Sequence, residues 1–74
     1  MKRIIKEIRK REDVVIRIGR GDLGNYVYIE IRQFVRDKDG EYRTTPKGLT
    51  FTPRLLDEII EGFMEVKKTF QTGS

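Results

Sequence analysis

An α+β fold, in which a basic antiparallel β-platform carries one C-terminal helix, is predicted by three features of this 74-residue chain. Tyr26 to Arg36 alternates apolar with aromatic or charged residues at the period of a strand. Asp37-Lys38-Asp39-Gly40 follows with the composition of a tight hairpin turn, Gly40 being free to adopt a positive φ. Thr52-Pro53 then opens a segment of helical periodicity, with Thr52 suited to the N-cap and Pro53 to the first helical position.

The elements follow in order. Ile4 to Lys10 fits either a short edge strand or a frayed helical turn, because Ile4, Ile5 and Ile8 satisfy both periods. Val14 to Ile18 reads as a strand with Val14, Ile16 and Ile18 on one face and Val15 and Arg17 on the other. Gly19 to Asn25 reads as a glycine-rich connection. The long strand sends Val27, Ile29, Ile31 and Val35 to the core and Tyr26, Tyr28, Glu30, Arg32, Phe34 and Arg36 to the opposite side. Glu41 to Thr45 returns antiparallel, and Pro46-Lys47-Gly48 interrupts it before the apolar piece Leu49 to Phe51. The chain is thus expected to be one domain, with a basic sheet over about 8–52, a helix over 53–70 and a tail at 71–74. In the helix, Asp57, Glu58 and Glu61 precede Lys67 and Lys68, the order the helix dipole favours.

Composition removes several function classes. There is no cysteine, so disulfides and zinc thiolate sites are excluded, and no histidine, so the commonest general base is absent. No cofactor, metal or small-molecule substrate is expected, nor an enzyme. The basic first residues lack an apolar run and no segment is long enough to span a bilayer, so an intracellular protein that avoids membranes is expected. Residues 1–52 hold 13 Lys and Arg against 8 Asp and Glu, whereas residues 53–74 hold 3 against 4. A basic strand half joined to a nearly neutral helical half suits a polyanionic partner on one face.

The helix also bears on assembly. Leu55, Leu56, Ile59, Ile60, Phe63, Met64, Val66 and Phe70 form an apolar stripe too broad for one small sheet to cover. A chain this short buries only about 60% of its unfolded surface and has no disulfide or metal to compensate. A twofold homodimer with Leu56, Ile59, Ile60, Phe63 and Met64 at the interface is therefore expected, against the alternative that the stripe is simply a monomer's core. Gly62 costs a helix about 1 kcal/mol relative to alanine unless it permits close approach or a kink.

Three motif matches fail on context. Gly19-Arg20-Gly21-Asp22-Leu23-Gly24 has the spacing of a dinucleotide fingerprint, but a strand follows it where a helix is needed, so it reads as a hairpin loop. The Arg-Gly-Asp within it reads as coincidence. Asp37 to Glu41 resembles the start of a calcium loop, but Gly48 stands where the bidentate glutamate is required. What remains is a basic and aromatic set: Arg17, Arg20, Tyr26, Tyr28, Arg32, Phe34, Arg36, Tyr42, Arg43 and Lys47. Binders of single strands combine a positive groove for phosphates with rings that stack on bases. Both ingredients are expected on one face. The alternative is that the rings pack against the helix or a second subunit and the arginines form a solvated rim.

Ile31-Arg32-Gln33-Phe34, then Asp37-Lys38-Asp39-Gly40-Glu41, then Lys47-Gly48-Leu49-Thr50-Phe51-Thr52-Pro53 resemble the positive-cofactor-four family of transcriptional coactivators, over about residues 8–70. The resemblance implies a four-stranded antiparallel sheet with one kinked C-terminal helix, a homodimer through the helices, and preference for single-stranded or melted DNA. It also implies DNA contact by Arg32, Arg43 and Lys47. Phe34 and Val35 stand where the family has a Tyr-Trp pair, so Val35 replaces a stacking tryptophan, and Phe34, Tyr28 or Tyr42 is expected to take over stacking. Pro46 replaces another basic position, and the first hairpin is longer but keeps Arg20. The chain looks like a compact prokaryotic or phage version, cytoplasmic or nucleoid-associated.

Together these readings predict a non-catalytic, largely sequence-independent single-stranded-DNA-binding protein acting in transcription, replication or recombination, alongside proteins of those processes. The alternatives are a small dimeric adaptor for an acidic protein segment and an RNA-binding module. The expected nucleic-acid contacts are Arg17, Arg20, Tyr28, Arg32, Phe34, Arg36, Tyr42, Arg43 and Lys47.

Overall fold

A computed structural model describes residues 2–71. Strands β1 (Lys2–Arg11), β2 (Val14–Leu23), β3 (Tyr26–Arg36) and β4 (Tyr42–Phe51) form one antiparallel sheet in chain order. A 3₁₀ turn at Pro53–Leu55 then leads into α1 (Leu56–Gln71).

The structure corrects several boundaries. Ile4 to Lys10 belongs to a full edge strand beginning at Lys2, so the sheet starts before residue 8. The pairing of β1 with β2 supplies the hydrogen bonds that its ambiguous periodicity could not announce, and two register shifts, between Ile4 and Lys6 and between Arg9 and Arg11, explain the mixed pattern. The supposed loop from Gly19 is strand as far as Leu23. Only Gly24 and Asn25 turn, with Gly24 at φ 61 in the first central position and Asn25 at negative φ, the pattern of a type II′ hairpin. Likewise Pro46-Lys47-Gly48 does not break β4; it is absorbed as a bulge, where Thr44 pairs with Phe34 and Gly48 with Arg32. Thr52 stands at the helix start, but its side chain makes no capping bond, and the Leu55 N–H is satisfied by the Thr52 carbonyl at 3.1 Å. The Asp37 turn is as expected: Gly40 has φ 87, and the Asp37 carboxylate accepts from the N–H groups of Asp39 and Glu41 at 2.9 and 3.0 Å.

Glycines inside the strands mark close approaches. A Cβ on Gly48 would lie 2.4 Å from the Ile31 carbonyl oxygen and 2.8 Å from the Arg32 Cα, both backbone atoms that cannot swing away. Gly48→Ala is expected to destabilise the fold by about 1–3 kcal/mol, as overpacking does, outweighing the roughly 0.5–1 kcal/mol that removing a strand glycine returns. Urea unfolding measures it, and an unchanged midpoint would show that the β3–β4 spacing is softer than described.

The register sorts side chains onto two faces. Ile18 pairs with Ile31 and Ile31 with Leu49, while Ile29 pairs with Phe51. These five residues form the helix face, on which Leu56, Ile59, Ile60 and Phe63 of α1 close an apolar cleft of about 210 Å³. The opposite face is open and carries Val15 beside Phe34, Arg17 beside Arg32, Gly19 beside Glu30 and Gly21 beside Tyr28. Val15, on this open face, is the one large apolar side chain fully buried among the described residues. The helix does not complete a core: Phe63 is 63% exposed and Phe70 80%, and every residue from Ile60 to Gln71 is exposed.

Candidate nucleic-acid interface

The open face is built by strand alternation, which brings every second residue of adjacent strands together. At one end, Phe34 of β3 pairs with Val15 of β2 and Thr44 of β4, and Tyr42 pairs with Arg36. The Arg17 guanidinium lies over both rings, its carbon 4.7 Å from the Phe34 centroid and 5.3 Å from that of Tyr42. Each such contact contributes about 0.5–1 kcal/mol at an exposed site. Glu7 on β1, directly opposite Arg17, accepts from its Nε at 2.8 Å, and Arg9 reaches the Glu12 carbonyl at 2.7 Å and the Tyr42 hydroxyl at 3.5 Å.

At the other end, Tyr28 lies across Gly21, so closely that a Cβ there would meet the ring at 2.0 Å. Tyr26 stacks on Tyr28 with centroids 5.9 Å apart and planes 22° from parallel. The two aromatic stations are separated by six residues of β3, about 20 Å at strand rise. Between them Arg32 donates from Nε to Glu30 at 2.6 Å and from Nη1 to the Thr45 carbonyl at 2.9 Å, tying β3 to the bulge of β4. Glu30 also takes Lys2 at 2.7 Å. The Lys2 hydrogen bond, supported by Arg32, holds the Glu30 carboxyl below its usual range against the opposing effect of burial. Arg36 is anchored on the Asp13 carboxylate at 2.6 Å.

Six of the nine expected contact residues, Arg17, Tyr28, Arg32, Phe34, Arg36 and Tyr42, therefore share the open face. The expectation of a single face fails for the other three. Arg20 pairs with Ile29 and Arg3, and Arg43 with Val35, which places both on the helix face. Arg20 lies 3.5 Å from Asp22, and Arg43 2.6 Å from Asp37, whose carboxyl that hydrogen bond holds below its usual range. Lys47 borders a shallow hollow of about 230 Å³ whose other walls include Ile16, Ile31 and Gln33, also on the helix face. Period two is unforgiving, and reading residues 19–25 as loop concealed the side on which Arg20 falls.

Sequence reasoning missed the β1 contribution of Lys2, Glu7 and Arg9, because that segment had no assigned face. The available signal was the acidic pair Glu12-Asp13 between two alternating runs, where the structure turns. Among the described residues no group of histidine, cysteine, aspartate and glutamate is arranged to hold a metal ion, and no helix is long and apolar enough to cross a membrane.

A four-stranded antiparallel meander followed by one helix, open on one face and lined there with rings and guanidinium groups, defines a class of small sheet-platform proteins. Residues 11–62 match the family described as Transcriptional Coactivator p15 (PC4), well over half of the chain. The chain belongs to that family. Its fold matches a PC4 homologue from Burkholderia pseudomallei in a tetragonal crystal form, with TM-score 0.84 and 27% identity over 90% of this chain and 98% of that one. The orthorhombic form of the same homologue gives 0.81 and 28% over 88% of each chain. A bacteriophage T5 homologue of the eukaryotic coactivator PC4, described as implicated in recombination-dependent DNA replication, matches in fold at TM-score 0.72 and 18% identity, over 96% of this chain and 80% of that one. No curated protein sequence matches the chain.

Proposed function

We propose that the chain forms a twofold homodimer through α1 and binds single-stranded or locally melted DNA along its open faces, largely without regard to sequence and without catalysing a reaction. The observation that carries this reading is the open face itself: two aromatic stations about 20 Å apart with arginines between and beside them. Membership of a coactivator family supports it. On this reading Phe34, Tyr42 and Tyr28 stack on bases, while Arg17 and Arg36 meet phosphates. Arg32, 19% exposed and bonded to the bulge, chiefly shapes the face. Arg43 and Lys47 lie on the β4 edge and meet backbone that leaves the open face there, and Arg20 does so near the Gly24 hairpin. The site of action is intracellular DNA, in the cytoplasm or nucleoid, during transcription, replication or recombination.

The dimer is supported by the unfilled apolar cleft between sheet and helix and by the exposed Ile60, Phe63, Met64, Val66 and Phe70. An apolar face of this extent on a small monomer marks an association surface. A second copy of α1, carrying the same stripe, is the occupant proposed for that cleft.

Backbone neutralisation sets the test. Contact with about four phosphates gives a log–log salt slope near −2.8, or roughly a 50-fold loss of affinity from 50 to 200 mM salt. Anisotropy titration of labelled oligo-dT, duplex DNA and RNA in one buffer measures it. Affinity that does not change over that range, or equal affinity for duplex, would overturn the proposal.

A further inference from the structure

We propose that Glu7 and Arg17 act as a latch on the Phe34–Tyr42 station. With no ligand present Glu7 holds the Arg17 guanidinium over the rings; a nucleobase takes that place, and Arg17 turns to a backbone phosphate. This rests on the single-stranded-DNA reading and adds to it the group that an incoming base displaces.

Four observations carry the inference. One guanidinium, at 4.7 and 5.3 Å, serves both rings, so the surface on which a base would stack is already taken by the protein's own cation. Val15 is completely buried beside Phe34, so the sheet side of the station is closed and a base must come from the side where solvent reaches. Arg17 makes one hydrogen bond, from Nε to Glu7, and its Nη groups have no hydrogen-bond partner among the described residues. Its neighbours each make two. Arg32 is bound to a carboxylate and a backbone carbonyl, and Arg36 places both Nε and Nη2 on Asp13. Arg17 is thus the arginine of this face with the fewest hydrogen bonds to give up, and its two Nη donors are ready for a phosphate oxygen once the guanidinium leaves the rings.

Glu7 is then a positioning residue that acts against binding. A half-exposed carboxylate on a face meant for a polyanion repels phosphate and keeps its arginine engaged. Removing only its charge should favour the bound state.

The test uses the full chain and oligo-dT. In the free protein the Arg17 Hε resonance should be displaced by the ring currents of Phe34 and Tyr42, and it should return toward an ordinary position at saturation. Glu7→Gln should bind about two- to five-fold tighter than wild type, the range expected for releasing one exposed ion pair. Glu58→Gln, an equal charge change on exposed α1, should alter affinity much less. An Arg17 resonance that stays ring-shifted at saturation, or a Glu7→Gln protein no tighter than Glu58→Gln, would overturn the latch while leaving DNA binding intact. A wild-type protein that binds no single strand would overturn both proposals.

Discussion

Phe63→Asp is expected to abolish self-association. In the proposed dimer Phe63 sits where α1 and the apolar wall of Ile18, Ile29, Ile31, Leu49 and Phe51 converge, and no cation lines that cleft. A carboxylate there must remain buried without a partner or take up a proton, and either costs several kcal/mol. Twofold symmetry imposes that cost twice. Sedimentation equilibrium should show the dissociation constant raised by at least about 10³-fold, equivalent to roughly 4 kcal/mol. Because Phe63 is 63% exposed in a single chain, the substitution removes little packing within one subunit, and the β signature by circular dichroism should persist. Gly62→Ala sharpens the result. A Cβ at Gly62 meets nothing within 4 Å in one chain, so helix propensity alone predicts a gain of about 1 kcal/mol. A loss instead would reveal a close helix crossing at that position. A Phe63→Asp protein that sediments as wild type would rule out α1 as the seam.

Phe34→Leu is expected to cost most of the stacking energy at one station while sparing the fold. Aromatic–base stacking contributes about 1–3 kcal/mol per base, so affinity for oligo-dT should fall roughly 5- to 150-fold. Leucine is preferred over alanine because Phe34 pairs with Val15, and a truncated side chain would uncover the one fully buried large apolar side chain among the described residues. Phe34→Tyr, which keeps a ring, should retain binding. The dimer constant should be unaffected in either variant, since Phe34 lies on the face opposite α1. If Phe34→Leu binds as tightly as wild type while Lys47→Ala weakens binding, the strand runs over the helix-side edge and not across the open face.

The long strand was the most legible element. Period-two alternation separated Val27, Ile29, Ile31 and Val35 from Tyr26, Tyr28, Glu30, Arg32, Phe34 and Arg36, and the pairing agrees. Gln33, however, had no assigned face, and Val35, expected in the core, is 37% exposed at the strand's end, beyond the reach of the helix cleft. The turn at Asp37 to Gly40 was equally plain, because its carboxylate and its glycine have few other uses. Legibility failed wherever a glycine or proline was read as punctuation. Gly19, Gly21 and Gly48 are strand residues that let a neighbouring strand or the ring of Tyr28 come close, and nothing in one segment's own sequence tells a spacer from a turn. Arg20 and Lys47 were misplaced for that reason. Arg43 was misplaced for a simpler one, since it follows Tyr42 and so points the opposite way.

Local rules acting on neighbouring residues sufficed to determine the order of elements from Val14 onward, the helix with its over-wide apolar stripe, and the presence of rings and cations on one strand. These depend on periodicity, turn chemistry and helix-start preferences, all of which act within a few residues. Only the tertiary structure decided that β1 joins the sheet from Lys2, that Glu7, Arg17, Phe34 and Tyr42 form one cluster, and that three of the nominated cations face the helix. Those outcomes depend on cross-strand register, which couples residues as far apart as Arg9 and Tyr42 and is set by bulges and close glycine contacts that no single segment encodes.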